Sequence, residues 1–336
     1  SMTACAGNTA ETTSAAAKTQ ETAADTASKA EETTGAEASE SETAAKAEGT
    51  TYKIGVLQLV QHTALDAAND GFIAALDDAG IAYEVDQQNA SGDQSACQTV
   101  ASKFANEKKD LILAIATPAA QAMVGAVEDT PVLITAVTDP AESGLVDTNE
   151  KPGANVTGTS DLTPVKEQID LLKQLVPEAK TVGVLYCSAE SNSKIQADMA
   201  KEAIAAAGME SKEYTVSSSN EIQTVVQSMV GAVDAVYAPT DNVIAAGMAT
   251  VGMVAGDNNL PVICGEAGMV QNGGLATYGI DYYQLGYMTG QQAVKILTEG
   301  ASPADMPIEY LPAEKCELTV NEETAQTLGI DVSGLK

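Results

Sequence analysis

The feature that most constrains the fold is an internal duplication. Four short segments of the first half recur in the same order in the second half, at offsets between 120 and 130 residues: 54–57 at 182–185, 117–118 at 239–240, 131–132 at 261–262, and 157–161 at 277–281. Ordered matches at nearly constant spacing indicate two structural units built on one plan. We therefore expect two similar lobes.

Within each half, short runs rich in β-branched residues alternate with longer amphipathic stretches, which is typical of βαβ units and a parallel sheet. The predicted strands are 52–59, 82–87, 110–116, 131–136 and 156–159 in the first half, and 181–186, 210–216, 235–238, 261–265 and 275–279 in the second. The pattern predicts an α/β fold with two similar doubly wound parallel-sheet lobes.

The chain that follows the second half is too short for a third domain. It contains a predicted helix at 283–298, a turn with Gly300 and Pro303, and a predicted strand at 307–320. This remainder must complete the lobes, so we expect a hinge that the chain crosses several times, as in a clamshell. We assign residues 51–160 and 282–302 to the first lobe, and 161–281 and 303–336 to the second.

The N-terminal 50 residues differ from the rest of the chain. Met2-Thr3-Ala4-Cys5 resembles the lipobox of bacterial lipoproteins, in which the cysteine becomes the lipidated N-terminus. Residues 6–50 consist almost entirely of Ala, Thr, Glu, Ser and Lys, which cannot bury enough apolar surface to fold. We predict a lipid anchor on Cys5, a disordered acidic tether, and a location on the extracellular face of the cytoplasmic membrane.

Composition argues against several classes of function. The formal net charge of −30 is incompatible with nucleic-acid binding, which needs clustered Lys and Arg. The chain has one histidine and no CxxC pair, so we expect no metal and no cofactor. No glycine-rich phosphate-binding loop follows the first strand of either half, and no nucleophile motif accompanies the histidine, so we predict that the protein is not an enzyme. We interpret Cys97, Cys187, Cys264 and Cys316 as small buried hydrophobes rather than disulfides.

Ligands of open parallel sheets bind beyond the carboxyl ends of the strands. The residues at these positions are mostly small or polar, and none is Lys or Arg. We take as candidate ligand-binding residues Gln61, Thr117, Ala119, Thr135, Asp139, Ser160, Asp161, Asn192, Ser193, Thr240, Asp241, Glu266 and Asp281. Many of them could instead be caps of the following helices.

A carboxylate in a cleft without cations is costly unless the ligand supplies a positive charge. We therefore predict that Asp241 accepts the ammonium group of a free amino acid, with Asp139, Asp161 and Asp281 as alternatives in that order. The ligand carboxylate would lie on helix N-terminal amides at 117–119 or 192–193.

Several of these segments together resemble the family of ABC-transporter substrate-binding proteins that includes the tryptophan- and tyrosine-binding lipoproteins. The segments are GVLQLVQH (55–62), ATPAAQ (116–121), TAVTDP (135–140), NVTGTSD (155–161), PTDN (239–242) and ATYGIDY (276–282). The resemblance implies a type I periplasmic-binding-protein-like clamshell that binds Phe, Tyr or Trp.

The same resemblance implies that the protein is a monomer that delivers its ligand to ABC permease subunits. Two alternatives stay open at this point. The protein could present its ligand to a signalling partner, or it could bind another small solute such as a branched-chain amino acid. The effector domain of a sugar-responsive repressor shares the architecture, but such a chain would carry a helix-turn-helix in place of the acidic tether.

Overall fold

The computed structural model describes residues 49–335. Numbered along the chain, its strands are β1 Tyr52–Gln58, β2 Tyr83–Asn89, β3 Leu111–Ile115, β4 Val132–Val137, β5 Val156–Ser160, β6 Thr181–Cys187, β7 Glu210–Val216, β8 Ala235–Ala238, β9 Val262–Cys264, β10 Ala276–Gly279, β11 Glu309–Tyr310 and β12 Glu317–Val320. Its α-helices are α1 Thr63–Asp78, α2 Gln94–Glu107, α3 Thr117–Ala126, α4 Val165–Leu175, α5 Ser191–Ala206, α6 Ile222–Met229, α7 Asn242–Ala246, α8 Met248–Asp257, α9 Ala267–Gln271, α10 Tyr282–Glu299 and α11 Glu322–Leu328.

The strands form two six-stranded sheets with the same plan. The first has the order β11-β5-β4-β3-β1-β2 and is parallel throughout. The second has the order β12-β10-β9-β8-β6-β7 and is parallel except for β12, which is antiparallel to β10. The predicted fold class, two doubly wound α/β lobes, is confirmed.

The chain crosses between the lobes three times. It leaves the first sheet after β5, returns between β10 and α10, and crosses again between β11 and β12. The structure differs from the expected boundary after residue 302. Residues 309–310 pair with β5 of the first lobe rather than joining the second lobe, and Ala304, Met306 and Ile308 also hydrogen-bond to the first lobe. The single strand predicted at 307–320 is divided, because Pro312 has no N–H to donate and a short turn follows it.

The sheets lie at the centre of each lobe, and the central strands are buried on both faces. All residues of β3 and β4 are buried, which explains their continuous apolar runs. The only two phenylalanines of the chain, Phe72 and Phe104, are completely buried in the core of the first lobe. Helix α10 packs closely against α1, where Gly71 and Gly286 each face backbone atoms of the other helix.

The cysteines in the described part of the chain are free thiols. Cys97, Cys187 and Cys264 are buried, as expected for small hydrophobes, and Cys316 is partly exposed. No helix among residues 49–335 has the length and apolar character needed to cross a bilayer. The predicted lipid-anchored Cys5 and nearly all of the predicted tether lie outside the described residues.

Candidate functional site

A small cavity lies between the two lobes, at the carboxyl ends of both sheets. This is the position that doubly wound sheets use for ligands, because the strand order reverses there between β1 and β3, and between β6 and β8. Twelve residues line the cavity: His62, Ala64, Leu65, Ala136, Asp161, Asn192, Thr240, Asp241, Asn242, Ala245, Glu266 and Tyr282.

Hydrogen bonds between the lobes close the cavity. His62 Nε2 lies 2.9 Å from Asn242 Oδ1, and Asn272 Nδ2 donates to Thr63 Oγ1 over 3.3 Å. Gln196, which is completely buried in α5, donates through Nε2 to Thr138 Oγ1 after β4, at 2.8 Å. The structure therefore describes a closed clamshell.

Asp161 occupies the first crossing between the lobes and is almost completely buried. Its Oδ2 accepts a hydrogen bond of 2.6 Å from the hydroxyl of Tyr282, the first residue of α10. Its Oδ1 is buried and has no hydrogen-bond partner. Burial raises the pKa of Asp161 to about 6, so the carboxyl is mainly ionised at neutral pH.

Glu266 follows β9 and lines the same end of the cavity. Both of its carboxylate oxygens are used, because they accept hydrogen bonds of 2.8 Å from the backbone N–H groups of Gly268 and Met269. Burial raises the pKa of Glu266 to about 7, and the charge of Asp161 adds to the shift. Glu266 therefore caps α9 and, with Asp161, gives this end of the cavity its acidic character.

Asp241 follows β8 and is already fully engaged within the second lobe. Its Oδ2 accepts from the Cys187 backbone N–H at 2.7 Å and from Ser193 Oγ at 2.6 Å, while Oδ1 accepts from the Ile244 N–H at 2.8 Å. These bonds cap α7 and tie β8 to the end of β6. Its role as a ligand for an ammonium group stays a prediction, and these three bonds leave it less capacity for that role than Asp161 has.

Glu190, which the sequence analysis did not single out, lies behind Asp241. It is buried, and it accepts hydrogen bonds from the backbone N–H and the side-chain amide of Asn242, at 2.9 Å and 2.6 Å. Burial, followed by the neighbouring Asp241 charge, raises the pKa of Glu190 well above its ordinary value. Only the fold brings this residue to the site, because in the sequence it is an ordinary glutamate before a helix.

The start of α1 offers an anion site. His62 precedes the helix, but its side chain makes no capping hydrogen bond. The N–H groups of Ala64 and Leu65 belong to the first turn, where a helix has no internal acceptor, and both residues line the cavity. Such uncapped amides favour a carboxylate.

Two backbone positions at the carboxyl-end edge of the first sheet are strained. Ala116 and Ala136, which lie at the ends of β3 and β4, have φ angles of 85° and 55°, a region that residues with a Cβ rarely adopt. Ala136 lines the cavity. Strain of this kind is concentrated at ligand sites, where the surrounding structure maintains it.

Five of the thirteen predicted site residues line the cavity: Asp161, Asn192, Thr240, Asp241 and Glu266. Asp139 and Asp281 do not line it. Asp139 accepts hydrogen bonds from Asn149 and the Glu142 backbone, and Asp281 is an exposed cap of α10.

The other predicted residues also lie outside the cavity lining. Ser193 supports Asp241, Thr135 bonds to Thr159, and Ser160 donates to the Thr138 carbonyl. Thr117 and Ala119 are buried in α3, whereas Gln61 is exposed. Seven lining residues are not among the predicted ones: His62, Asn242, Tyr282 and the apolar residues Ala64, Leu65, Ala136 and Ala245.

Two lobes that shut on a polar cavity at their strand ends define a solute-binding clamshell. Among residues 49–335, no group of three His, Cys, Asp or Glu side chains converges to hold a metal ion. The family described as ABC transporter substrate binding protein matches residues 53–334. The chain belongs to this family, which consists of solute-binding proteins and not of enzymes, as the sequence predicted.

Three similar proteins are informative. A tyrosine-binding protein of Clostridioides difficile is 45% identical over 82% of this chain and 80% of its own length. A Streptococcus pneumoniae structure described as an ABC domain in complex with L-Trp is 39% identical, with a TM-score of 0.82 over 85% of this chain and 97% of that one. The ligand-free, open structure of a Clostridium difficile substrate-binding protein with adhesive properties is 46% identical, with a TM-score of 0.65 over the same shares.

The TM-score is higher for the structure with bound L-Trp than for the open, ligand-free structure, in agreement with the closed lobes of this protein. The chain resembles the L-Trp complex more closely than the open, ligand-free protein, although its sequence is more similar to the latter. The lobe arrangement described above is therefore the one in which a ligand would be enclosed.

Proposed function

We propose that the protein binds one free aromatic L-amino acid in the cavity and passes it to the permease of an ABC importer. The observation that carries this proposal is the unpaired Oδ1 of Asp161, a buried carboxylate oxygen facing a cavity whose described lining contains no Lys or Arg. A buried charge of this kind is stable only when a cation pairs with it. An α-ammonium group is a cation of suitable size.

The remaining groups fit the rest of an amino acid. Asn192 Oδ1 is a second buried acceptor without a partner, available to another ammonium proton. The ligand carboxylate would accept hydrogen bonds from the uncapped amides of Ala64 and Leu65 at the start of α1. This assignment replaces Asp241 with Asp161 as our proposed ammonium acceptor, because Asp241 already accepts three hydrogen bonds.

Two considerations favour an aromatic side chain. The apolar part of the cavity lining comes from Ala64, Leu65, Ala136 and Ala245, and such a lining packs against an uncharged, apolar side chain. The similar proteins described above are named for tyrosine binding and for a complex with L-Trp. We further propose that the protein acts as a monomer outside the cytoplasmic membrane, held there by a lipid on Cys5.

The test is calorimetric titration of the purified protein with each of the twenty amino acids, together with mass spectrometry of any ligand released on denaturation. We expect tyrosine, tryptophan or phenylalanine to bind with a stoichiometry of one. A hundredfold excess of ligand over its dissociation constant should stabilise the fold by roughly 2.7 kcal/mol. Binding of a sugar or a nucleoside, with no amino acid bound, would overturn the proposal.

A further inference from the structure

His62 is the only histidine of the chain, and its two ring nitrogens have different surroundings. Nε2 lies 2.9 Å from Asn242 Oδ1 on the opposite lobe. Nδ1 is inaccessible to solvent and has no hydrogen-bond partner, and the residue lines the cavity. A buried polar atom without a partner costs about 1–3 kcal/mol, so it indicates a group that a ligand is meant to satisfy.

Neighbouring hydrogen bonds determine which nitrogen carries the proton. Glu190 accepts from both the backbone N–H and the side-chain amide of Asn242, which turns Oδ1 of that amide toward His62. Nε2 must then be the donor. Burial lowers the pKa of His62, so the ring is neutral and carries this single proton. Nδ1 is left as an acceptor only.

Asp161 and Asn192 line the same cavity as His62, and each has a buried side-chain oxygen without a hydrogen-bond partner. In the proposed function these two oxygens accept from the ligand's ammonium group. Among the residues that line the cavity, His62 Nδ1 is then the buried acceptor that remains, and the donor that remains on the ligand is the one on its ring.

We propose that His62 Nδ1 accepts a hydrogen bond from the ring of the ligand, either the phenolic O–H of tyrosine or the indole N–H of tryptophan. This inference rests on the proposed function and narrows it, because phenylalanine has no ring donor and leaves Nδ1 unsatisfied. A site that hydrogen-bonds a ligand group rejects an analogue that lacks it more strongly than apolar contacts can. We expect phenylalanine to bind roughly tenfold or more weakly than the better of the other two.

The single histidine allows a direct test. Untagged protein with ¹⁵N-labelled histidine has one imidazole, so two nitrogen resonances report its state without ambiguity. We expect a protonated Nε2 and a bare Nδ1 in the closed protein saturated with phenylalanine. With tyrosine or tryptophan bound instead, the Nδ1 resonance should differ from that of the phenylalanine complex. A protonated Nδ1, or the same Nδ1 resonance in all three complexes, would overturn the inference.

The variant His62→Leu supplies the second measurement. Loss of the His62–Asn242 bond should weaken the binding of all three ligands, but the affinity for tyrosine and tryptophan should fall about tenfold more than that for phenylalanine, so that selectivity is lost. The control is Asn69→Leu, because Asn69 is a polar residue of the following helix, α1, that does not line the cavity. If all three amino acids bind the parent protein equally, this inference is wrong while the proposed function stands; if none binds, both are wrong.

Discussion

Replacing Asp161 with asparagine should make the protein more stable and a weaker binder. The buried carboxyl has a pKa of about 6 instead of its ordinary 3.8. The folded closed state therefore holds the proton more tightly than the unfolded chain does. The stability linked to this proton is fully present below about pH 4, and it is lost as the pH rises through 6.

The rise in the pKa of Asp161 from 3.8 to about 6 corresponds to a loss of stability of about 3 kcal/mol for the ionised form, because each unit of pKa shift corresponds to about 1.4 kcal/mol. At pH 7 the Asp161→Asn protein lacks this uncompensated charge. Without ligand, its free energy of unfolding should exceed that of the parent by about 3 kcal/mol where the lobes are closed, and by less where they open, measured by urea denaturation. The gain should disappear near pH 4, where the parent carboxyl is protonated.

Binding should change in the opposite direction. Loss of a buried partner for the ligand ammonium costs on the order of 2–5 kcal/mol, a decrease in affinity of roughly thirtyfold or more in a calorimetric titration at pH 7. The affinity of the parent protein should fall about tenfold between pH 7 and pH 5 as Asp161 is protonated, and that of the variant should not.

The matched control is Asp139→Asn, an aspartate at the end of the adjacent strand β4 that hydrogen-bonds Asn149 and does not line the cavity. Its affinity should stay within about twofold of the parent, since no charge near the ligand is removed. If Asp161→Asn binds as tightly as the parent and is less stable, Asp161 is a structural residue and the reasoning is refuted. Asp241→Asn is then the next variant to test.

Two further predictions concern closure and packing. Gln196→Met removes the bond to Thr138 across the lobes, so ligand dissociation in stopped-flow measurements should be about five- to tenfold faster; Gln121→Met, which removes a weaker contact of 3.3 Å, should change it less than about twofold. Gly286→Ala places a methyl group against the backbone of α1 and should lower the free energy of unfolding by several kcal/mol. Gly125→Ala, in an open stretch of α3, should instead raise it by about 0.5–1 kcal/mol, and a destabilised Gly125→Ala together with a neutral Gly286→Ala would contradict this account.

The duplicated pattern predicted the sheets because central parallel strands must be apolar on both faces. The strand predicted at 110–116 corresponds to β3, and the helix predicted at 283–298 corresponds to α10. The pairing of the segment after α10 could not be predicted from this apolar pattern. Its two short strands belong to different sheets. The pairing of β11 with β5 depends on the path of the chain through the hinge and not on the strand propensity of the local sequence.

The sequence predicted at which edge of the sheets the site lies, but not which carboxylate oxygen is free to bind a ligand. Asp241 and Asp161 have a similar sequence signature, a carboxylate within three residues of the end of a buried strand. Tertiary hydrogen bonds separate them: Cys187 and Ser193 engage Asp241, whereas Tyr282 leaves one oxygen of Asp161 unpaired. These partners lie between 48 and 121 residues away along the chain, so no local pattern distinguishes a cap from a ligand-binding carboxylate.

The arrangement of charges also explains why closure should depend on the ligand. Asp161 and Glu266 are buried at one end of the closed cavity, and burial raises both pKa values, to about 6 and about 7. Closing the lobes without a cation therefore either desolvates these negative charges or takes up protons. A ligand ammonium group removes this cost, because it pairs with Asp161 in the closed state and has no such partner in water. An analogue of the same shape that lacks the positive charge, such as an amino acid whose ammonium is replaced by hydrogen, should for this reason close the lobes less readily at pH 7 than the amino acid itself, and small-angle X-ray scattering can check that outcome.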